Sequence, residues 1–394
     1  MSESQRILLS ALIGTLAVVG IVLVTAPRAV APTEPIPALL GPTTTQKQIA
    51  TTTPVLTATT TATTSAIIHK KPTVSAPPTK KSPPPASVVP AAPVTVTAIA
   101  QNFQTPATTT PPQPLSTNDK VRQALVNVVC TTKTDGTFES ISASGVIVDS
   151  RGVILTNSHV AQFFLLKDYP SPNFGSCVIR TGSPAVSRYT AELLFMPPSW
   201  MAANAYKINQ ERPTGSGEHD YALLRITGTV GADIQLPSSF PYLPISTDPP
   251  SENQNVLVAA YPAGFLGGIT IATNLYAASA EATVRNLYTF LSNTLDLFSV
   301  AGTIVSQQGS SGGAVTDENG ILLGIIVTAS DAPDTASRDL RALSTPYIIG
   351  DFFKESGTPL ETFLNTDIVQ EATSFQLGTA PTLRQELINA LQNK

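Results

Sequence analysis

The stretch SQQGSSGGAV, residues 306–315, places a serine hydroxyl among closely spaced glycines. Glycine and serine are common in turns, so the stretch alone is equally compatible with an ordinary loop between strands. A serine hydroxyl becomes a nucleophile only when a base removes its proton and a third group orients that base. The histidines and acids elsewhere in the chain therefore decide what Ser311 can do.

The chain has three histidines. His69 lies in a stretch rich in Pro and Thr, whereas His159 ends the apolar run GVILTNSHV, which we interpret as a strand. His219 stands directly beside Asp220 in EHDYALLRI, and neighbouring residues on a strand point to opposite faces. The arrangement we favour has His159 as the base, Asp220 as the residue that orients it and Ser311 as the nucleophile.

Three segments together resemble the trypsin-like (chymotrypsin-fold) serine proteases, nearest the bacterial periplasmic HtrA-type branch. They are SGVIVDSRGVILTNSHV around His159, HDYALLRI around Asp220 and GSSGGAV around Ser311. The motif YPAG at 261–264 is similar to the turn that opens the second barrel in that branch, and the resemblance covers about 121–350.

The resemblance implies a mechanism as well as a fold. Ser311 would attack a peptide carbonyl, His159 would carry the proton to the leaving amine, and Asp220 would stabilise the imidazolium. The backbone N–H groups of Gly309 and Ser311 would form the oxyanion hole. No metal or organic cofactor is expected.

One other hydrolase fold has to be considered, because residues 309–313 also satisfy the pattern G-x-S-x-G. This is the nucleophile elbow of the α/β-hydrolases, in which the histidine follows the serine along the chain. No histidine follows His219 here, so the sequence excludes that arrangement.

Two departures from the family concern activation and specificity. Zymogen-type members have an acidic residue before the nucleophile, and this chain has Ser310, so activation by a freshly cut N-terminus is not available. The position six residues before the nucleophile is Val305. We expect Val305 and Val327 to line the specificity pocket and to favour apolar P1 side chains.

The globular part reads as short Val- and Ile-rich runs separated by Gly, Asn, Asp and Pro, with a hairpin turn at 149–152. Such runs predict an all-β fold, and the resemblance implies two six-stranded antiparallel β-barrels. We place the protease domain at 119–352, without a PDZ domain after it, and a helical tail at 353–394. Helix is expected only after His159 and in this tail. The insertion at 196–218 either borders the substrate cleft or is a solvent-exposed loop.

The segment before the globular part predicts a membrane anchor and a stalk. Residues 7–26 carry no charge and, as a helix, span about 30 Å, the thickness of a bilayer core. We assign 1–26 to an uncleaved signal-anchor, the alternative being a cleaved signal peptide. Residues 27–118 are rich in Pro and Thr and poor in aromatic residues, which predicts a disordered stalk; an intracellular linker is the alternative.

Cys130 and Cys177 are the only cysteines. Two isolated cysteines without neighbouring histidines make a poor metal site. In the fold that this chain resembles, they lie on adjacent strands, so a disulfide is feasible and an exported protein would permit it. Two free thiols are the alternative.

Charge narrows the class of partner. Residues 119–394 hold 16 Lys and Arg against 25 Asp and Glu, which argues against nucleic acid as a partner. The sequence predicts a single-pass membrane protein whose catalytic domain, outside the cytoplasm, cleaves polypeptides in envelope protein quality control or processing. The alternative is a stalked, non-catalytic binding or adhesion module.

Overall fold

Two closed barrels, each of six antiparallel strands, form the centre of this computed structural model. The structure describes residues 115–133, 138–210, 214–264, 266–290, 294–329, 332 and 337–393. The predicted chymotrypsin-like architecture of two six-stranded antiparallel β-barrels is confirmed within these residues. The expectations for 1–114, namely the membrane anchor and nearly all of the stalk, lie outside the described residues.

The first barrel takes its strands from the N-terminal half of the globular part. In spatial order they run β1-β2-β3-β6-β5-β4, and β1 closes the barrel against β4. The hairpin predicted at 149–152 joins β2 to β3 and is closed by a hydrogen bond from Gly152 N to Asp149 O of 2.9 Å. The strands are β1 (Leu125–Thr132), β2 (Ile141–Asp149), β3 (Val153–Thr156), β4 (Gly175–Thr181), β5 (Val186–Phe195) and β6 (Ala222–Thr229).

The second barrel repeats this arrangement in the order β10-β11-β12-β9-β8-β7. Its interior is a separate apolar core that includes Val258, Phe298 and Ile326. Its strands are β7 (Asn255–Ala260), β8 (Ala278–Tyr288), β9 (Leu297–Val300), β10 (Ala314–Thr316), β11 (Leu322–Ala329) and β12 (Leu340–Ser344). Residues 261–264 leave the first strand of this barrel, β7.

Helices are more widespread than the sequence analysis expected, and the expectation of helix only after His159 and in the tail is wrong. The first helix starts at Thr117, just inside the predicted stalk. No helix among the described residues combines the length and apolarity that a bilayer crossing requires. The helices are α1 (Thr117–Ala124), α2 (Ser158–Ala161), α3 (Pro198–Asn204), α4 (Gly268–Thr273), α5 (Thr345–Ser356), α6 (Leu360–Leu364), α7 (Ile368–Leu377) and α8 (Ala380–Gln392), with 3₁₀ turns at Gln162–Leu166 and Ala205–Asn209.

The insertion at 196–218 is folded over much of its length. Helix α3 buries Trp200 and Met201, and Asn209 Nδ2 donates to Ala390 O of helix α8. Apolar side chains therefore hold the described part of this segment against the C-terminal helices, and the expectation of a solvent-exposed loop is wrong.

A cluster of aromatic rings packs the C-terminal helices on the first barrel. Phe195 at the end of β5 lies 4.5 Å from Phe352, 6.5 Å from Phe363 and 6.1 Å from Phe375, measured between ring centroids. Each of these rings is buried, and together they fix helices α5, α6 and α7 to β5.

The two cysteines form a disulfide. In the ladder between β1 and β4, Cys130 is the direct partner of Cys177, and their Cα atoms are 4.0 Å apart. The disulfide therefore joins the two strands that close the first barrel, and the alternative of two free thiols is excluded for this structure.

We expect the double variant Cys130→Ala/Cys177→Ala to be less stable than the oxidised protein, by about 4 kcal/mol at most, because the link closes a long loop. Chemical denaturation measures the difference. Mass spectrometry supplies the control: reduction should add the mass of two hydrogen atoms to the wild type and none to the variant. Equal midpoints of the oxidised protein and the variant would contradict the expectation.

Candidate active site

Pairing between β3 and β6 brings His159 and Asp220 together. The last pair of this ladder joins Thr156 to Ala222, so the residues that follow Thr156 lie beside those that precede Ala222. His159 comes three residues after Thr156 and Asp220 two residues before Ala222. The strand pairing thus places a histidine and an acid at the same end of the first barrel.

The prediction that His159 ends a strand is wrong. Strand β3 ends at Thr156, and Asn157 O then accepts hydrogen bonds from the backbone N–H groups of Val160 and Ala161. These bonds start the short helix α2, which carries His159 with its side chain 32% exposed.

Asp220 holds His159 through two hydrogen bonds. His159 Nδ1 lies 2.7 Å from Asp220 Oδ2, and the backbone N–H of His159 donates to Asp220 Oδ1 at 3.0 Å. The backbone around the acid is held as well, because Asn157 Nδ2 donates to Asp220 O and Ser158 Oγ donates to Tyr221 O. These bonds therefore fix the orientation of the imidazole, and Nε2 remains able to accept a proton.

The electrostatics suit a general base. Burial lowers the pKa of His159. The charge of Asp220 and the hydrogen bond to it raise this pKa, and together they outweigh burial, so the pKa lies above the ordinary 6.5. An imidazole whose charged form is stabilised in this way can take up a proton during a reaction and return it later.

His219 takes no part in this pair. It lies in a turn before β6 with a φ of 57°, so the expectation that His219 and Asp220 share a strand is wrong. The conclusion drawn from it, that the two side chains do not face each other, nevertheless agrees with the structure, because His219 Nδ1 lies 2.8 Å from Asp351 Oδ2 instead.

The loop that carries Ser311 docks on the first barrel through Ser144 of strand β2. Ser144 Oγ donates to Gly309 O at 2.8 Å, and Ser144 N donates to Ser311 O at 2.8 Å. Ser144 O in turn accepts from Thr156 Oγ1 at the end of β3. Through these bonds the nucleophile's loop lies next to the strand that leads to His159.

Two glycines are required in this loop. Gly312 has a φ of 81°, and a Cβ placed there would lie 2.2 Å from Ser144 O, so no other residue fits. Gly309 has a φ of 89°, a conformation that glycine adopts without strain.

The predicted oxyanion donors are available. Among the described residues, the backbone N–H groups of Gly309 and Ser311 donate to no protein acceptor. Their neighbours are bonded: Ser310 N donates to Gln307 O and Gly312 N to Ile326 O. The pair of donors is what the stabilisation of a developing oxyanion requires.

The structure does not join every predicted residue. Ser311 is half-buried, and its hydroxyl makes no hydrogen bond with His159 or with any other described residue. Such bonds are often formed only when substrate is bound.

Val305 lies in the core of the second barrel and Val327 is almost fully buried; their role in P1 selection stays a prediction. Ser310 Oγ donates to Val305 O.

Sequence reasoning missed Ser144, although it stands within the motif quoted around His159. It is fully buried and also accepts a hydrogen bond from Tyr261 N at 2.9 Å. A serine in a strand of apolar residues was the available signal.

Among the described residues, the group that could hold a metal ion is His219, Asp351 and Glu355, and it contains no member of the predicted triad.

Comparison with a family model agrees with the fold. Residues 143–325 match the family model described as the trypsin-like peptidase domain. The active form of the Rv3671c protease from M. tuberculosis is 17% identical, with 61% of this chain and 85% of that chain covered and a TM-score of 0.38. The serine endoprotease from Yersinia pestis is 20% identical, with coverages of 62% and 69% and a TM-score of 0.38. No curated protein matches this chain.

We expect Ser144→Ala to destabilise the protein by about 1–3 kcal/mol, because it leaves Gly309 O and Tyr261 N without their partner. Acylation of Ser311 should also slow, since its loop loses an anchor. Thermal melting and the rate of labelling by an acylating probe measure both effects. Ser142→Ala, on the same strand, is the matched control and should leave the labelling rate unchanged; equal rates for Ser144→Ala would contradict the positioning role.

We expect Asp220→Asn to slow acylation by about 10⁴-fold, as loss of the acid does in other triads. The substitution removes the groups that raise the pKa of His159 and leaves burial, which lowers it. The rise in rate with pH, which reports deprotonation of His159, should therefore move to lower pH. A pH profile with its rise in the wild-type position would show that Asp220 does not set the pKa of the base.

Proposed function

We propose that this chain, which carries a trypsin-like peptidase domain in its two barrels, is a serine endopeptidase that uses Ser311, His159 and Asp220. The observation that carries the proposal is the hydrogen-bonded pair of His159 and Asp220. A second loop bears a half-buried serine and two backbone N–H groups that have no acceptor among the described residues.

The first half of the reaction acylates the enzyme. Ser311 Oγ attacks the carbonyl carbon of the scissile peptide while His159 Nε2 takes the hydroxyl proton. The carbonyl oxygen becomes an oxyanion, which accepts hydrogen bonds from Gly309 N and Ser311 N. Loss of one such donor typically costs on the order of 10²–10³ in rate. The C–N bond then breaks as His159 delivers its proton to the leaving amine, which leaves an ester on Ser311.

The second half repeats these steps with water. The water oxygen attacks the ester carbonyl while His159 takes a proton from that water. The same two backbone donors stabilise the second oxyanion. His159 then returns the proton to Ser311 Oγ as the ester breaks. Asp220 keeps Nδ1 of the imidazole protonated throughout, so that Nε2 faces the reaction.

The remainder of the chain supports the proposed location. The uncharged segment 7–26 and the Pro- and Thr-rich segment after it support a single-pass membrane anchor with a stalk. The disulfide between Cys130 and Cys177 supports an oxidising compartment. The protein would act outside the cytoplasm on envelope polypeptides, and Val305 and Val327 would favour apolar P1 side chains.

The second candidate function is a binding or adhesion module that keeps the protease fold without catalysis. The missing hydrogen bond between Ser311 and His159 is the observation in its favour. The buried bonds that orient His159 and Asp220 are against it, because a binding surface has no need of an oriented imidazole.

A fluorophosphonate probe separates the two functions, since it reacts only with an activated serine. We expect the wild type to be labelled on Ser311, as peptide mapping would show, and Ser311→Ala to remain unlabelled. Ser310→Ala is the matched control: it keeps the nucleophile, loses a hydrogen bond to Val305 O and should still be labelled. Equal labelling of the wild type and Ser311→Ala, or none of either, would contradict the proposed function.

A further inference from the structure

A second group of ionisable side chains lies just behind the candidate active site. The turn that precedes strand β6 carries His219, and its imidazole points to helix α5 rather than to His159. There it meets Asp351 and Glu355, which lie one helical turn apart on the same face of α5. His219 Nδ1 is 2.8 Å from Asp351 Oδ2 and 3.9 Å from Glu355 Oε1.

The three side chains converge on one point. One nitrogen or oxygen atom from each lies within 4.8 Å of the other two. Their side chains are 24%, 2% and 11% exposed in the order His219, Asp351, Glu355, so the group has a buried floor and one open side. This is an arrangement of three protein ligands with a position left for solvent.

Protein balances the negative charge of this group only in part: the imidazole of His219 faces both carboxylates, and Ser199 N donates to Glu355 Oε2 at 3.3 Å. Among the described residues, no Lys or Arg lies within 4.0 Å of either carboxylate, and the one cationic partner is the imidazole. Glu218 adds a third carboxylate, 3.8 Å from His219 Nε2. Carboxylates removed from water are normally paired or bound to a metal, so the group attracts a cation.

Tyr221 provides an independent observation. Its side chain is fully buried, and its hydroxyl has no hydrogen-bond partner among the described residues. A buried hydroxyl without a partner is uncommon in folded proteins. The backbone N–H of Tyr221 donates to His219 O at 2.9 Å, so this hydroxyl belongs to the same segment as His219.

We propose that His219, Asp351 and Glu355 bind a divalent transition-metal cation, with zinc the best match, at the junction of helix α5 and the turn that carries Asp220. The site goes beyond the proposed protease activity and departs from the sequence expectation of no metal.

The donor set selects zinc over calcium and magnesium. Those two cations are bound almost entirely by oxygen, whereas zinc accepts imidazole nitrogen together with carboxylate oxygen. In a tetrahedral zinc site, two donors bound at about 2.0–2.2 Å are about 3.3–3.6 Å apart. His219 Nδ1 lies 2.8 Å from Asp351 Oδ2 and 3.9 Å from Glu355 Oε1, so both carboxylates would have to rotate when the metal binds.

The metal would link two parts of the chain that are distant in sequence. His219 precedes Asp220, and its backbone N–H donates to Tyr347 Oη of α5 at 3.2 Å. A cation bound to both elements would therefore stiffen the turn that holds Asp220 against His159. Metal binding should stabilise the fold whether or not the protein cleaves peptides.

The test uses the full chain with Ser311→Ala, which prevents self-cleavage, after treatment with EDTA. Titration with zinc chloride, followed by calorimetry, should show one saturable site per chain, and thermal melting should show a higher Tm with zinc. Loss of a residue that only orients a metal ligand weakens metal binding by about 10–100-fold. His219→Asn and Glu355→Gln remove a ligand itself, so each should weaken zinc binding by more than this and should abolish the increase in Tm. Asn tolerates the φ of 57° at position 219, so this variant should fold.

Three controls locate the metal. Glu361→Gln changes an exposed acid on the neighbouring helix α6 and should bind zinc as the parent does. The chain has two further histidines, and His69→Asn and His159→Asn should also leave zinc binding intact. Loss of binding in His159→Asn, with binding kept in His219→Asn, would place the metal in the triad and overturn the proposal. Absence of saturable binding would overturn it too, without bearing on whether Ser311 reacts with the fluorophosphonate.

Discussion

The hydrogen bonds of Ser144 are the interaction on which the candidate active site depends. This one buried serine, on strand β2 of the first barrel, bonds to Gly309 and Ser311 of the nucleophile's loop and to Tyr261 at the end of β7. Its carbonyl also accepts from Thr156, three residues before the base. The two barrels supply different members of the proposed triad, so their relative position must be fixed, and Ser144 contacts both.

Much of the site could be predicted from the sequence, because the residues that do chemistry lie in short motifs. Glycines flank the hydroxyl of Ser311, a histidine follows one apolar run, and an acid precedes another apolar run. These three patterns were sufficient to select His159 and Asp220. The two-barrel fold followed from strand-length runs and from the resemblance that those motifs carry. The disulfide followed from the same resemblance, since Cys130 and Cys177 fall on strands that are neighbours in such a barrel.

The remainder could not be predicted, because it depends on contacts between residues far apart in the chain. Ser144 looks like any polar residue in a strand until Gly309 is placed beside it, 165 residues away. The left-handed turn at His219 is stabilised by Tyr347 and Asp351 of α5, and a strand pattern gives no sign of it. The segment 196–218 has the composition of a loop, and it is the C-terminal helices that make burial of Trp200 possible.

The aromatic cluster around Phe195 determines how much of the chain counts as one folding unit. The segment matched by the family model ends at residue 325, yet Phe352, Phe363 and Phe375 cover a ring on β5 of the first barrel. A recombinant fragment cut at the end of the second barrel would expose that ring and its neighbours to water. The resulting apolar patch would favour aggregation. A fragment that keeps these rings covered therefore extends through helix α8 and begins before α1.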